Sequence, residues 1–245
     1  MDRMAELQGQ TVVVIGGSSG IGRETARRAR AEGADVIVTG RDPQRLKAAA
    51  ADVGAQDSAA FDVTDWAALG RFFDGLPATF DHIMITAGGP YYAPLAELDH
   101  DRAVHDFELH QWLPVAVAQH VAGRMRPGGT MLFMTGTDAR RPAPGQALMA
   151  AGTAALPALA ANLAVELAPI RVNLIAAGFV DTPLSASLLG GDLDRRRDQL
   201  RATLPIRRVV EPSDVAALAV HLMVNTALTG ATYDIDGGQQ LVPEG

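Results

Sequence analysis

The chain has 245 residues, 48% of them hydrophobic and 20% charged, with a net charge of −7 and no cysteine. That length and balance suit one globular α/β domain with a full core, and exclude a disordered chain. An acidic surface repels phosphate backbones, so nucleic acid is not an expected partner, and the missing cysteines exclude disulfides, thiolate metal sites and thiol nucleophiles.

The chain opens with Met1 to Gln10, too short a stretch for a signal peptide, so a cytoplasmic location is expected. Thr11 to Gly16 is a β-branched run that reads as a strand, followed by a helix over Ile21–Ala31. The alternation continues with a strand at Asp35–Gly40, an Ala-rich helix at Pro43–Asp52, a strand at Ala59–Asp62 and a helix at Asp65–Asp74. Strands are expected next at His82–Ala87, Thr130–Thr135, Arg171–Ala176 and Thr232–Asp236, with helices over His100–Arg124, Ala147–Leu167 and Ser213–Val224. Ala147 to Ile170 is the most apolar stretch, but Asn162, Glu166 and two prolines interrupt it, which makes it a buried helix rather than a membrane span. Pro157 should remove one backbone hydrogen bond there and can kink the helix. The basic run Arg195-Arg196-Arg197 is flanked by aspartates, as on a solvated helix face.

Strands alternating with helical crossovers imply a doubly wound, seven-stranded parallel sheet with helices on both faces. No linker, repeat or low-complexity block divides residues 1–245, so one domain is expected. Leu184 to Pro205 is the least regular stretch, with helical pieces at best. It follows a strand on the carboxyl side of the sheet, where ligands bind in open α/β folds, so 184–205 is either a substrate flap or a surface excursion.

Gly16-Gly17-Ser18-Ser19-Gly20-Ile21-Gly22 lies between the first strand and the first helix. Glycines there let the backbone turn sharply and approach a pyrophosphate, whose charge meets the positive end of the helix. The spacing Gly-x-x-x-Gly-Ile-Gly resembles that of the short-chain dehydrogenase/reductase family, and companion motifs follow in order. Asp62-Val63 resembles the family's adenine-contacting pair. Ile85-Thr86-Ala87-Gly88 stands in place of its Asn-Asn-Ala-Gly motif with both asparagines lost. Arg171 to Thr182 resembles the strand and turn at the nicotinamide end, with Ala177 where proline is usual. Tyr233-Asp-Ile-Asp-Gly-Gly238 resembles its last strand and turn.

The resemblance covers nearly the whole chain and implies a single-domain Rossmann fold with a nicotinamide cofactor. The residues it assigns to that cofactor are Gly16, Ser18, Ser19, Gly20, Ile21, Gly22, Asp62, Val63, Ala87, Gly88, Val180 and Thr182. Arg41 joins them on physical grounds. A carboxylate at the end of the second strand would accept from a ribose 2′-hydroxyl, but Gly40 and then Arg41 occupy that place, and a guanidinium favours a 2′-phosphate. NADP(H) is therefore expected over NAD(H).

The family's proton-handling residues are a Tyr, a Lys four positions later, a Ser thirteen positions before the Tyr and an Asn on an earlier helix. Here those positions hold Met149, Thr153, Gly136 and Glu108. A shift of register recovers nothing, because the chain's one lysine is Lys47 and its three tyrosines are Tyr91, Tyr92 and Tyr233. Tyr91 and Tyr92 after the fourth strand, Thr135, Thr137 and Asp138 around the former Ser position, and His105 and His110 beside Glu108 could serve instead. Each also has a structural reading: a pocket wall, a strand end, a half-exposed helix. No metal-ligand cluster or Gly-x-Ser-x-Gly elbow is present.

Two functions follow. One is an NADP(H)-dependent oxidoreductase acting on a small molecule with non-standard proton handling. The other is an inactive relative serving as a cofactor-binding sensor or as the supporting subunit of a mixed oligomer. The resemblance also implies a homotetramer or homodimer formed through the helices at His100–Arg124 and Ala147–Leu167.

Overall fold

The structure, a computed structural model, describes residues 6–242. β1 (Thr11–Ile15), β2 (Asp35–Gly40), β3 (Asp57–Ala60), β4 (Phe80–Ile85), β5 (Met125–Gly136), β6 (Arg171–Ala177) and β7 (Thr232–Ile235) form one sheet in the order β3-β2-β1-β4-β5-β6-β7. Every neighbouring pair is parallel. A sheet of this kind is covered on both faces, and β1 shows why the sequence reads as an unbroken apolar run. Its Val13 and Ile15 enter one core with β4, β5 and the helices α3 (Trp66–Gly75), α5 (Leu113–Val121) and α6 (Ala147–Glu166). Val12 and Val14 enter the other, against α1 (Gly20–Ala31), α2 (Pro43–Val53) and α9 (Pro212–Val224).

Most expected elements are present; β4 lies two residues earlier than its expected His82–Ala87, and four further differences stand out. β3 lies two residues earlier than its expected position at Ala59–Asp62, because Asp62 turns back to accept from the backbone N–H and hydroxyl of Thr64 (2.9 and 2.7 Å). β5 starts at Met125 rather than Thr130, through an irregular pairing opposite Phe80 and His82. The single helix expected over His100–Arg124 is divided into α4 (His100–Phe107), a π turn (Glu108–Trp112) and α5. Pro114 explains the division: it has no N–H to donate to the carbonyl one turn back, so the ladder widens just before it. Finally, 184–205 is more regular than expected. Thr182 caps α7 (Pro183–Leu189) by accepting from Ser185 N–H (3.1 Å), and α8 (Leu193–Thr203) carries Arg–Asp pairs three residues apart along its surface.

α6 runs unbroken through Pro157. By length and composition it could cross a membrane, but Met149, Thr153, Leu156, Ala160 and Leu163 form one face buried on the sheet. Its other face is exposed, so the expectation of a buried helix holds for one side only. The guanidinium of Arg171, at the start of β6, donates to the carbonyls of Leu222, Met223, Asn225 and Leu228 (2.6–3.1 Å), placing a cation at the negative end of α9.

His82 sits in the middle of the sheet on β4, between Val12 and Thr130, 3% exposed, with Nε2 2.6 Å from Gln10 Oε1. Burial, assisted by Arg171 and opposed by Asp81, depresses its pKa to about 4. The unfolded chain takes up a proton here near pH 6.5, whereas the folded chain resists until about 4. Stability from this residue is therefore complete above pH 6.5 and falls as pH drops toward 4, by about 3 kcal/mol. We expect denaturant unfolding of His82→Gln to show a flatter decline over this window than the wild type. Parallel declines would contradict the assignment.

Candidate cofactor and substrate site

β1, β4, β5 and β6 all end at one edge of the sheet, and the strand order reverses between β1 and β4, which opens a crevice there. The turn from β1 to α1 is built around two close approaches. A Cβ on Gly16, whose φ is +95°, would lie 2.6 Å from Ala87 N, and one on Gly22 would overlap Gly16 O and Thr86 Oγ1. The Thr86 hydroxyl donates to the carbonyls of Ile15 and Gly16 (3.2 Å each), so threonine does here what the sequence left open when the asparagines were lost. Gly17 N–H donates to Thr39 O (2.8 Å), tying the same turn to β2. The result is a backbone turn at the N-terminus of α1 with no side-chain cap at Ser19.

At the β2 end of this turn, a Cβ on Gly40 would sit 2.9 Å from Ser18 Cβ and Oγ, so a larger residue would displace Ser18. Arg41 is exposed beside it. The nearest carboxylate in sequence, Asp42, is turned away to cap α2 through Gln44 and Arg45 N–H (2.9 Å each). Burial raises the Asp62 carboxyl, but the Thr64 hydrogen bonds and the fields of Arg41 and His105 outweigh it and hold the group below the ordinary range. Val63 is buried, and His105 is exposed on α4.

At the opposite end, Thr182 packs 3.6 Å from a Cβ on Gly20, which brings the turn after β6 against the glycine-rich turn. Val180 is pinned by a parallel bridge to Val210. Leu184 of α7 lies 3.2 Å from a Cβ on Gly89, so 183–203 reaches over the loop after β4. Arg197 of α8 holds that segment down with a two-point pair to Asp181 (2.8 Å each).

The candidate proton-handling positions separate clearly. Met149 and Thr153 are both 5% exposed. The Thr153 hydroxyl donates to Ala150 O and accepts from Ala139 N–H (3.2 Å each), fastening the turn after β5 to α6. Glu108 lies in the π turn, half-buried. Tyr91 is a wall residue: its ring is buried under the Arg102 guanidinium (4.3 Å), and its hydroxyl accepts from Asp99 N–H (2.9 Å). Tyr92 instead donates to Asp138 Oδ1 (3.0 Å). Thr137 accepts from Gln240 Nε2 (2.8 Å), and Thr135 is buried in β5.

His110 has a partner the sequence reading missed. Its Nδ1–H donates to Asp106 O (2.9 Å) and lies 3.2 Å from Asp106 Oδ1. Burial disfavours the charged ring, but Asp106 outweighs it and raises the imidazole above its ordinary value. The spacing i, i+4 on one helix was the available signal. Nε2 faces the loop after β4, 3.6 Å from a Cβ on Gly88.

Comparison with known proteins agrees with this geometry. The family model described as Enoyl-(Acyl carrier protein) reductase matches residues 15–240. The chain is 31% identical to Short-chain dehydrogenase/reductase ATR9 of Stachybotrys chlorohalonatus, covering 96% of this chain and 98% of that one. It is also 31% identical, over 96% of its length and 98% of the relative's, to the cyclic-di-GMP-binding biofilm dispersal mediator protein of Escherichia coli. Among solved structures, the MalC reductase/Diels-Alderase of Malbranchea aurantiaca superposes with a TM-score of 0.90 at 26% identity, covering 98% of this chain and all (100%) of that one. Fold, glycine-rich turn and relatives agree: this chain belongs to the short-chain dehydrogenase/reductase family, whose members are oxidoreductases that bind a nicotinamide cofactor.

Proposed function

We propose that the chain is an NADP(H)-dependent oxidoreductase acting on a small molecule without the family's Tyr–Lys proton relay. The observation that carries the cofactor choice is the end of β2: Gly40 brings no carboxylate there, Arg41 stands exposed beside it, and Asp42 is occupied as a helix cap. The turn fits a dinucleotide because Gly16 and Gly22 let α1 start close against β1 and β4, which brings the unpaired N–H groups of its first turn to the crevice. On this reading the backbone of Gly16, Ser18, Ser19, Gly20, Ile21 and Gly22 takes the pyrophosphate, and Arg41 takes the 2′-phosphate. Asp62 and Val63 take the adenine; Ala87, Gly88, Val180 and Thr182 line the ribose and nicotinamide. When bound, the cofactor supplies hydride. The protein's task is then to hold the acceptor in line and keep water out, which positioning alone accelerates substantially. On this reading α7 and α8 serve as a substrate flap, which the approach of Leu184 to Gly89 and the Arg197–Asp181 pair support.

A cofactor-binding sensor or supporting subunit is the second reading, favoured by the way Thr153 serves packing rather than chemistry. Turnover of any acceptor separates the two.

Self-association completes the proposal. Phe107, Trp112 and Val165 are 57%, 43% and 77% exposed on α4, the π turn and α6, apolar side chains that a second copy would cover. Light scattering should give a dimer or tetramer mass; a monomer at micromolar concentration would overturn this part.

For the cofactor, fluorescence titration should show NADPH binding at least about tenfold tighter than NADH. Arg41→Ala should weaken NADPH by roughly tenfold, the worth of one charge-assisted contact, and leave NADH within about twofold. Equal affinity for both cofactors in the wild type would contradict the assignment.

A further inference from the structure

Gly136 closes β5 where the former serine position falls. A Cβ built there would overlap Asp138 Oδ2 and lie 3.7 Å from Thr153 Cγ2. The Asp138 carboxylate has therefore moved into the space that a side chain at 136 would fill, and Thr153 lines the same spot. Asp138 Oδ1 accepts from the Tyr92 hydroxyl at 3.0 Å. Partial desolvation of a ring that remains 44% exposed, then the field of Asp138, raise the Tyr92 phenol above its ordinary range, and its hydroxyl is a donor that orients the carboxylate. No ion pair engages Asp138 among the described residues. Arg140 is paired with Asp234 and His110 with Asp106, while Arg141, whose backbone N–H donates to the Asp138 carbonyl (3.2 Å), makes no ion pair with the Asp138 carboxylate among the described residues. The single lysine, Lys47, is on α2.

The family arrangement as the resemblance describes it surrounds the substrate oxygen with a hydroxyl and a cation. Here a carboxylate stands at that point and the cation is gone. Hydride transfer to a ketone builds negative charge on oxygen, which a carboxylate at contact distance opposes. A positively charged C=N group meets the opposite situation. An adjacent negative charge attracts it and, for an imine, favours the protonated form that accepts hydride.

Resting on the reductase reading above, we propose that Asp138 sets the acceptor class: the substrate is an iminium ion or protonated imine whose nitrogen lies against the Asp138 carboxylate, with Tyr92 holding that carboxylate in place. The acceptor carbon gains a C–H bond from the dihydronicotinamide hydride. The C=N π pair moves onto nitrogen, giving a neutral amine, and the cofactor departs as the oxidised nicotinamide cation. Charge and electrons balance, and no proton is transferred, so the missing Tyr–Lys relay is not needed.

The test compares wild type with Asp138→Asn, using a bicyclic iminium salt (an N-methyl dihydroisoquinolinium) and the similarly shaped ketone tetralone. NADPH binding is titrated first in both proteins, and then NADPH oxidation is followed with each acceptor. Wild type should reduce the iminium at least about tenfold faster than the ketone. Asp138→Asn should lose about tenfold or more in kcat/KM for the iminium while NADPH affinity stays within about twofold, the scale of one charged contact. Asp138→Glu, which keeps the charge, should retain the iminium preference and guards against misreading a folding defect.

A ketone preference in the wild type overturns the proposal. So does an iminium rate unaffected by Asp138→Asn, or no turnover of the iminium while NADPH binds; each leaves the cofactor reading standing. Absence of NADPH binding in the wild type overturns both together.

Discussion

At the carboxyl edge of the sheet, α1 approaches β1 and β4 so closely that neither Gly16 nor Gly22 can carry a Cβ. This contact sets the position of nearly everything else in the site. The close approach leaves the first backbone N–H groups of α1 facing the crevice, where they can receive a phosphate group. The Thr86 hydroxyl locks the contact from the β4 side and Thr39 from the β2 side, so three strands share one small junction. Its immediate neighbours are the two ends of the crevice: Gly40 and Arg41 on one side, Ala87 and Gly88 on the other. Thr182 packing on Gly20 extends the same junction to the turn after β6 and thus to the α7–α8 segment.

The other end of the site is governed by charge. Thr153 is buried, and its hydroxyl joins α6 to the turn after β5 as a structural clasp. The carboxylate of Asp138 occupies the space beside Gly136, and the side chain of Tyr92 comes across from the loop after β4 to hold it. On the proposed reading, a carboxylate at this point suits a cationic acceptor rather than a developing alkoxide.

The sheet, its order of elements and the glycine-rich turn were legible in the sequence because each has a local cause. Buried parallel strands require continuous β-branched runs, and close backbone approach requires glycine. The π turn was less accessible, since it depends on a missing N–H at Pro114 within a pattern that otherwise reads as one long helix. The regularity of 184–205 was hidden because its helices rest on charged i, i+3 pairs and a Thr182 cap rather than on an apolar stripe. Asp138 was visible as a polar residue near the former serine position. Its entry into the space beside Gly136 was not, because that depends on the side chain's direction in the turn after β5. Tyr91 and Tyr92 are adjacent in sequence yet differ completely in role, one buried under Arg102 and the other bonded to Asp138.

The most direct measurement is a crystal structure of the protein grown with NADP⁺. The account requires the pyrophosphate on the backbone of Gly16 to Gly22, the 2′-phosphate against Arg41 and Ser18, and the nicotinamide reaching the crevice between Gly88, Thr182 and Asp138. Dinucleotide bound elsewhere, or density lying along this crevice with the 2′-phosphate pointing away from Arg41, would contradict it.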